Sequence, residues 1–271
     1  MSTTIAVAGK GGTGKTTISA LLAKLLAKKG SVLAIDADPS VNLHMALGLE
    51  MPKAIGDIRE DLLDAAHLPA GMNRHDYMTL AIRESLVESK GIDLLAMGRP
   101  EGAGCYCAAN HILRGAIDSL ANAYDYVVID NEAGMEHISR QTTRDVHILL
   151  LVSDPTVRGV TAAGRMQDLI RELRTSVGQV YLIVNRVNGA IPPEVEKIIQ
   201  AQGLRLLATI PSDAAVGELD AAGRPLVELL PTSPVKVAVR RLAQDLGLAP
   251  LDEPAEATVP SRSSGKGTGS P

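Results

Sequence analysis

Short apolar runs alternate with longer stretches in which apolar positions recur at helical spacing. Near-continuous runs of Val, Ile, Leu and Ala occupy 4–8, 32–36, 94–97, 126–130, 148–152, 180–184 and 206–210. Their lack of in–out alternation predicts parallel strands buried on both faces. Between them, 16–29, 112–123, 159–176, 193–202, 214–222 and 234–246 read as helices. This alternation predicts an α/β fold: a mostly parallel sheet flanked by helices on both faces. One domain over 1–248 accounts for the pattern. From 249 to 271 the chain turns to Pro, Ser and Gly, which predicts a disordered polar tail.

Composition narrows this picture. The 271 residues are 45% hydrophobic yet contain no Phe or Trp, so the core must be aliphatic. A net charge of −4 gives no basis for non-specific nucleic-acid binding. The N-terminal apolar run is cut short by Lys10, and no run reaches transmembrane length, so the expectation is a cytoplasmic chain without a membrane partner.

The chemistry begins directly after the first strand. Gly9-Lys10-Gly11-Gly12-Thr13-Gly14-Lys15-Thr16-Thr17 fits G-x-x-x-x-G-K-[ST] and opens a helix. Glycines let the backbone curl until its N–H groups face phosphate oxygens, and the helix N-terminus adds positive potential. Lys15 supplies a charge at the β- and γ-phosphates, and the Thr16 hydroxyl can reach Mg²⁺. The loop therefore predicts a P-loop NTPase. Two later strands end in carboxylates: Asp36 and Asp38 in IDADPS, and Asp130 in YVVID. At the carboxyl end of a sheet such groups can serve Mg²⁺ or the attacking water.

Lys10 is a second lysine in the loop, and KGGTGKT resembles the deviant Walker A motif of the ParA, MinD and nitrogenase iron protein superfamily. The resemblance implies a nucleotide-sandwich homodimer formed on ATP binding, with Lys10 reaching the partner's phosphates. It implies Asp38 as the water-positioning residue of switch I, Asp130 as the Walker B-type carboxylate and NEAGMEH as switch II. It also implies contacts to adenine from Asn185 and Arg186, and from Pro211, Ser212 and Asp213. Arg186 and Asn188 replace the Lys and Asp of the guanine signature N-K-x-D, which favours ATP over GTP.

Cys105 and Cys107 are the only cysteines, one residue apart in the glycine-rich EGAGCYC. Two thiols cannot close a four-coordinate site, but a two-fold axis would bring four together. Thiolates suit Zn²⁺ and also bind Ni²⁺. His111 stands nearby as a possible extra ligand, and His137 follows Asp130; neither is assigned to the metal. GCYC followed by DNEAGMEH, with GRPEG upstream, resembles the CooC group of ATPases. That resemblance spans about 5–248 and implies an ATP-dependent nickel chaperone acting on apo carbon monoxide dehydrogenase. The rivals are a ParA/MinD-type positioning switch without metal and an electron-transfer reductase with a shared cluster.

Overall fold

The seven apolar runs form the seven strands of one sheet in the computed structural model, which describes residues 2–55, 72–98, 117–133, 146–172 and 176–248. The strands are β1 (Thr3–Gly9), β2 (Val32–Ala37), β3 (Ile92–Ala96), β4 (Tyr126–Ala133), β5 (Val146–Ser153), β6 (Val177–Val187) and β7 (Leu206–Pro211). Their order is β3-β2-β4-β1-β5-β6-β7, and every neighbouring pair runs parallel. Successive residues face opposite layers, as a pleated strand requires. Ile5 and Val7 join a core with Leu22 and Leu242, while Ala6 and Ala8 join a second core with Val160 and Ile199. Both faces are thus dry, and that is why the runs show no alternation.

The helices cover those faces. α1 (Lys15–Leu26) follows β1, and α4 (Val157–Glu172) follows β5. α5 (Pro193–Ala201), α6 (Ala214–Ala221) and α7 (Pro234–Asp245) complete the second half of the chain. Pro193 and Pro234 sit in the first turns of their helices, where no N–H partner is lost. Of the expected helix 112–123, only residues 117–121 lie among those described as helical. Among the described residues α4 ends at Glu172, four residues before the expected 176, and the Ser176 carbonyl already accepts from the Val146 N–H at the start of β5.

Two of the described helices escape the sequence pattern. α2 (Leu43–Leu47) has five residues, too few to display a period. α3 (Arg74–Glu84) is largely polar, with Met78 and Ile82 as its buried positions one turn apart. Its start is marked by Asn73, whose Oδ1 accepts from the Asp76 N–H at 2.9 Å. Among the described residues no helix is long and apolar enough to cross a membrane.

Candidate functional site

Parallel strands bring their carboxyl ends to one edge, and the residues singled out for chemistry collect there. β1 is the central strand and delivers Gly9 into the loop. A Cβ on Gly9 would stand 2.2 Å from the Val152 carbonyl oxygen, so only glycine lets β1 leave the sheet this close to β5. Gly14, at φ +91, has no room for a Cβ either: Asn185 Nδ2 would be 2.3 Å away.

The loop closes on itself. The Lys10 carbonyl accepts from Thr13 Oγ1 at 2.9 Å and from Lys15 Nζ at 3.3 Å. Lys15 is 7% exposed, while Lys10, Gly11 and Gly12 are exposed. α1 starts after Gly14, which has no side chain to cap it, so its first N–H groups are left for an anion held by the loop.

Thr16 and Asp130 meet. The Thr16 hydroxyl donates to Asp130 Oδ2 at 2.6 Å, and Ser19 Oγ donates to Asp130 Oδ1 at 3.0 Å. Asp130 pairs in register with Asp36 on β2 and with Val7 on β1. A hydroxyl and carboxylates are hard oxygen donors, the set Mg²⁺ prefers. Both acids are buried, and burial is the main force pushing their pKa values up; Asp130 reaches about 7, with the Asp36 charge adding to the rise.

A pH effect follows. An acid whose pKa rises on folding keeps its proton in the folded chain after the unfolded chain has released it. The Asp130 contribution to stability is therefore present at low pH and is lost as pH climbs from its ordinary 3.8 through about 7. In thermal melts of the nucleotide-free, Mg²⁺-free protein, the parent should lose Tm relative to Asp130→Asn between pH 5 and 8. A constant difference over that range would contradict the assignment.

Asp38 follows β2, half-buried, with its Oδ1 accepting from the Ser40 N–H at 2.9 Å and from the Ser40 hydroxyl. Across the loop, Asn185 lies inside β6 rather than beyond it, where the ladder to β7 shifts register. Its Nδ2 donates to the Thr13 carbonyl at 2.7 Å, and its Oδ1 accepts from the Arg186 N–H at 2.9 Å. Arg186 is exposed and takes φ +59. A cleft of about 250 Å³ runs from Gly14 and Thr17 past Asn185, Arg186, Pro211, Ser212 and Asp213. The expected base-contact residues thus share one recess beside the phosphate loop.

Two of them also have structural partners that the sequence analysis did not assign. Asp213 caps α6, its Oδ1 accepting from the Ala215 N–H at 3.0 Å, and its Oδ2 accepts from Ser233 Oγ at 2.6 Å. Asn185 braces the phosphate loop. An Asp before a helix start signals the first; no local pattern signals the second, which joins residues 172 apart.

Cys105, Cys107, His111, His137 and the NEAGMEH segment beyond Ala133 lie outside the described residues. Among the described residues no group of three or more His, Cys, Asp or Glu could hold a metal ion.

Residues 4–226 match the CobQ/CobB/MinD/ParA nucleotide binding domain. An ATP-binding protein of Methanocaldococcus jannaschii is 43% identical over 246 residues, covering 89% of this chain and 97% of that one. The carbon monoxide dehydrogenase accessory protein CooC of Rhodospirillum rubrum is 34% identical over 241 residues, 84% of this chain and 90% of its own. Among solved structures, the MinD cell division protein of Aquifex aeolicus superposes with a TM-score of 0.68 at 25% identity, covering 93% of this chain and 99% of that one.

Proposed function

Because this chain belongs to the CobQ/CobB/MinD/ParA nucleotide-binding family and is an ATPase, we propose that its ATP cycle delivers nickel to the active-site cluster of carbon monoxide dehydrogenase. The observation that carries this reading is the 34% identity to a carbon monoxide dehydrogenase accessory protein along 84% of the chain, in a sequence whose only cysteines form a C-x-C.

ATP phosphates sit against the Gly9–Thr17 backbone, with Lys15 as the cation at the β/γ end. Thr16 and Asp130 hold Mg²⁺, which when bound neutralises charge on the β- and γ-oxygens. Adenine occupies the recess formed by Asn185, Arg186, Pro211, Ser212 and Asp213. Asp38 orients the water that attacks the γ-phosphorus as the bond to the bridging oxygen breaks, leaving ADP and phosphate. Two copies close face to face over the nucleotides, Lys10 of each reaching the other's phosphates. Closure brings Cys105 and Cys107 of both chains into one four-thiolate site for Ni²⁺ or Zn²⁺, and hydrolysis reopens it in the cytoplasm beside the apo target.

Lys10 supplies one check. Its side chain is exposed at the loop while its carbonyl is engaged. Lys10→Ala should keep ATP binding yet dimerise poorly with an ATP analogue and Mg²⁺, and should hydrolyse slowly. Light scattering that finds the variant dimerising like the parent would contradict the trans role. The delivery step is tested with apo carbon monoxide dehydrogenase and limiting nickel. The parent plus ATP should raise activation; Cys105→Ser/Cys107→Ser plus ATP should not. Equal activation by both would leave a nucleotide switch of the positioning type, the reading that the MinD-like architecture favours.

A further inference from the structure

The loop that carries Asp38 is tied at both ends to a single side chain. Asp36, at the end of β2, is 0% exposed. Its Oδ1 accepts from the Asp38 N–H at 3.0 Å, and its Oδ2 accepts from the Leu43 N–H at 2.8 Å, where α2 begins. An ionised carboxylate is an acceptor at both oxygens, so it can take two amides at once, and such charge-assisted bonds are stronger than neutral ones. Burial alone would favour the protonated acid; the two amides oppose that rise.

Between the tied ends the chain follows a costly path. The Val41 N–H donates to the Asp38 carbonyl at 3.0 Å, and Val41 takes φ +48 while its side chain stays 5% exposed. A β-branched residue in the left-handed region is strained and holds there only where its surroundings enforce it. Asp36 in turn sits opposite Asp130 in the β2–β4 register, and Asp130 holds the Thr16 hydroxyl. One pair of neighbouring strands therefore fixes both the Mg²⁺ side and the water side of the site.

We propose that Asp36 is a positioning residue for ATP hydrolysis: its carboxylate clamps both ends of the 38–42 loop and sets the place from which Asp38 meets the attacking water. The inference rests on the reading of Asp38 given above. Asp36 acts through Asp38 and not on the reacting atoms.

Asp36→Asn keeps the shape but turns one acceptor into an NH₂ donor facing an amide N–H, so one of the two bonds is lost. Single-turnover kcat should fall roughly tenfold or more, with the ATP Kd changed less than about threefold. Amide exchange at Asp38 and Leu43 should accelerate, while that of Ile35 in β2 and Ile18 in α1 stays as in the parent. Because Asp36 works through Asp38, Asp36→Asn/Asp38→Ala should be no slower than Asp38→Ala alone. Additive losses in the double variant, an unchanged kcat in Asp36→Asn, or a loss fully recovered at high Mg²⁺ would each overturn the clamp. A parent-like Asp38→Ala would instead remove the reading on which it rests; parent-like Asp36→Asn beside an inactive Asp38→Ala removes the clamp alone. If Asp36→Asn does not fold, the parent still decides. Its Asp38 and Leu43 amides should be protected well beyond the exposed Gly11 and Gly12 amides, and equal exchange would overturn the proposal.

Discussion

Lys15→Ala is expected to lose ATP binding by about two orders of magnitude or more. Its Nζ is the one cation buried in the phosphate loop among the described residues, held there by the Lys10 carbonyl at 3.3 Å. The surrounding Gly9–Thr17 backbone already has the curled form, so the ammonium is in place before nucleotide arrives. Removing it deletes charge-assisted bonds to the β/γ-phosphates, each worth about 1.5–3 kcal/mol. Isothermal titration with ATP and Mg²⁺ checks this directly. An affinity within a few-fold of the parent would mean that the loop amides alone carry the phosphates.

Asp38→Ala should fail in the opposite way. A group that orients water acts on the transition state and adds little to ground-state binding. Hydrolysis should fall by about a hundredfold or more in single turnover, while ATP Kd and nucleotide-driven dimerisation stay near parental values. The nearby backbone predicts that the fold tolerates the change: among the described residues the Asp38 carboxylate accepts only from Ser40, whereas the buried Asp36 holds the loop. Parent-like kcat would sink the assignment.

Much of the fold was legible because its cause is local. Parallel strands buried on both faces need continuous Val, Ile and Leu, and the phosphate loop needs glycine at fixed spacing. All seven strands, and the glycine loop that opens α1, follow from such rules. What escaped depends on contacts distant in sequence or on elements too short to show a period. α2 has only five residues. Strand β6 runs on through Asn185 and Arg186, whose polar side chains end the apolar run but not the ladder. The family resemblance implies Asn185 as a base contact, yet its Nδ2 is spent on Thr13, a partner 172 residues away. Asp36 reads as one of two acids at a strand end; that it holds both Asp38 and Leu43 depends on how the chain turns after β2.

The proposed metal site rests on Cys105 and Cys107, a C-x-C that lies outside the described residues. The decisive measurement is metal content per protein, by mass spectrometry of the dimer isolated with Ni²⁺ or Zn²⁺, an ATP analogue and Mg²⁺. Four thiolates drawn from two copies predict one Ni²⁺ or Zn²⁺ per dimer for the parent, weaker binding as pH falls and protons compete for sulfur, and none held tightly by Cys105→Ser/Cys107→Ser, which should still bind ATP. Stoichiometric metal in that double variant, or one metal per monomer in the parent, would contradict a site shared between subunits.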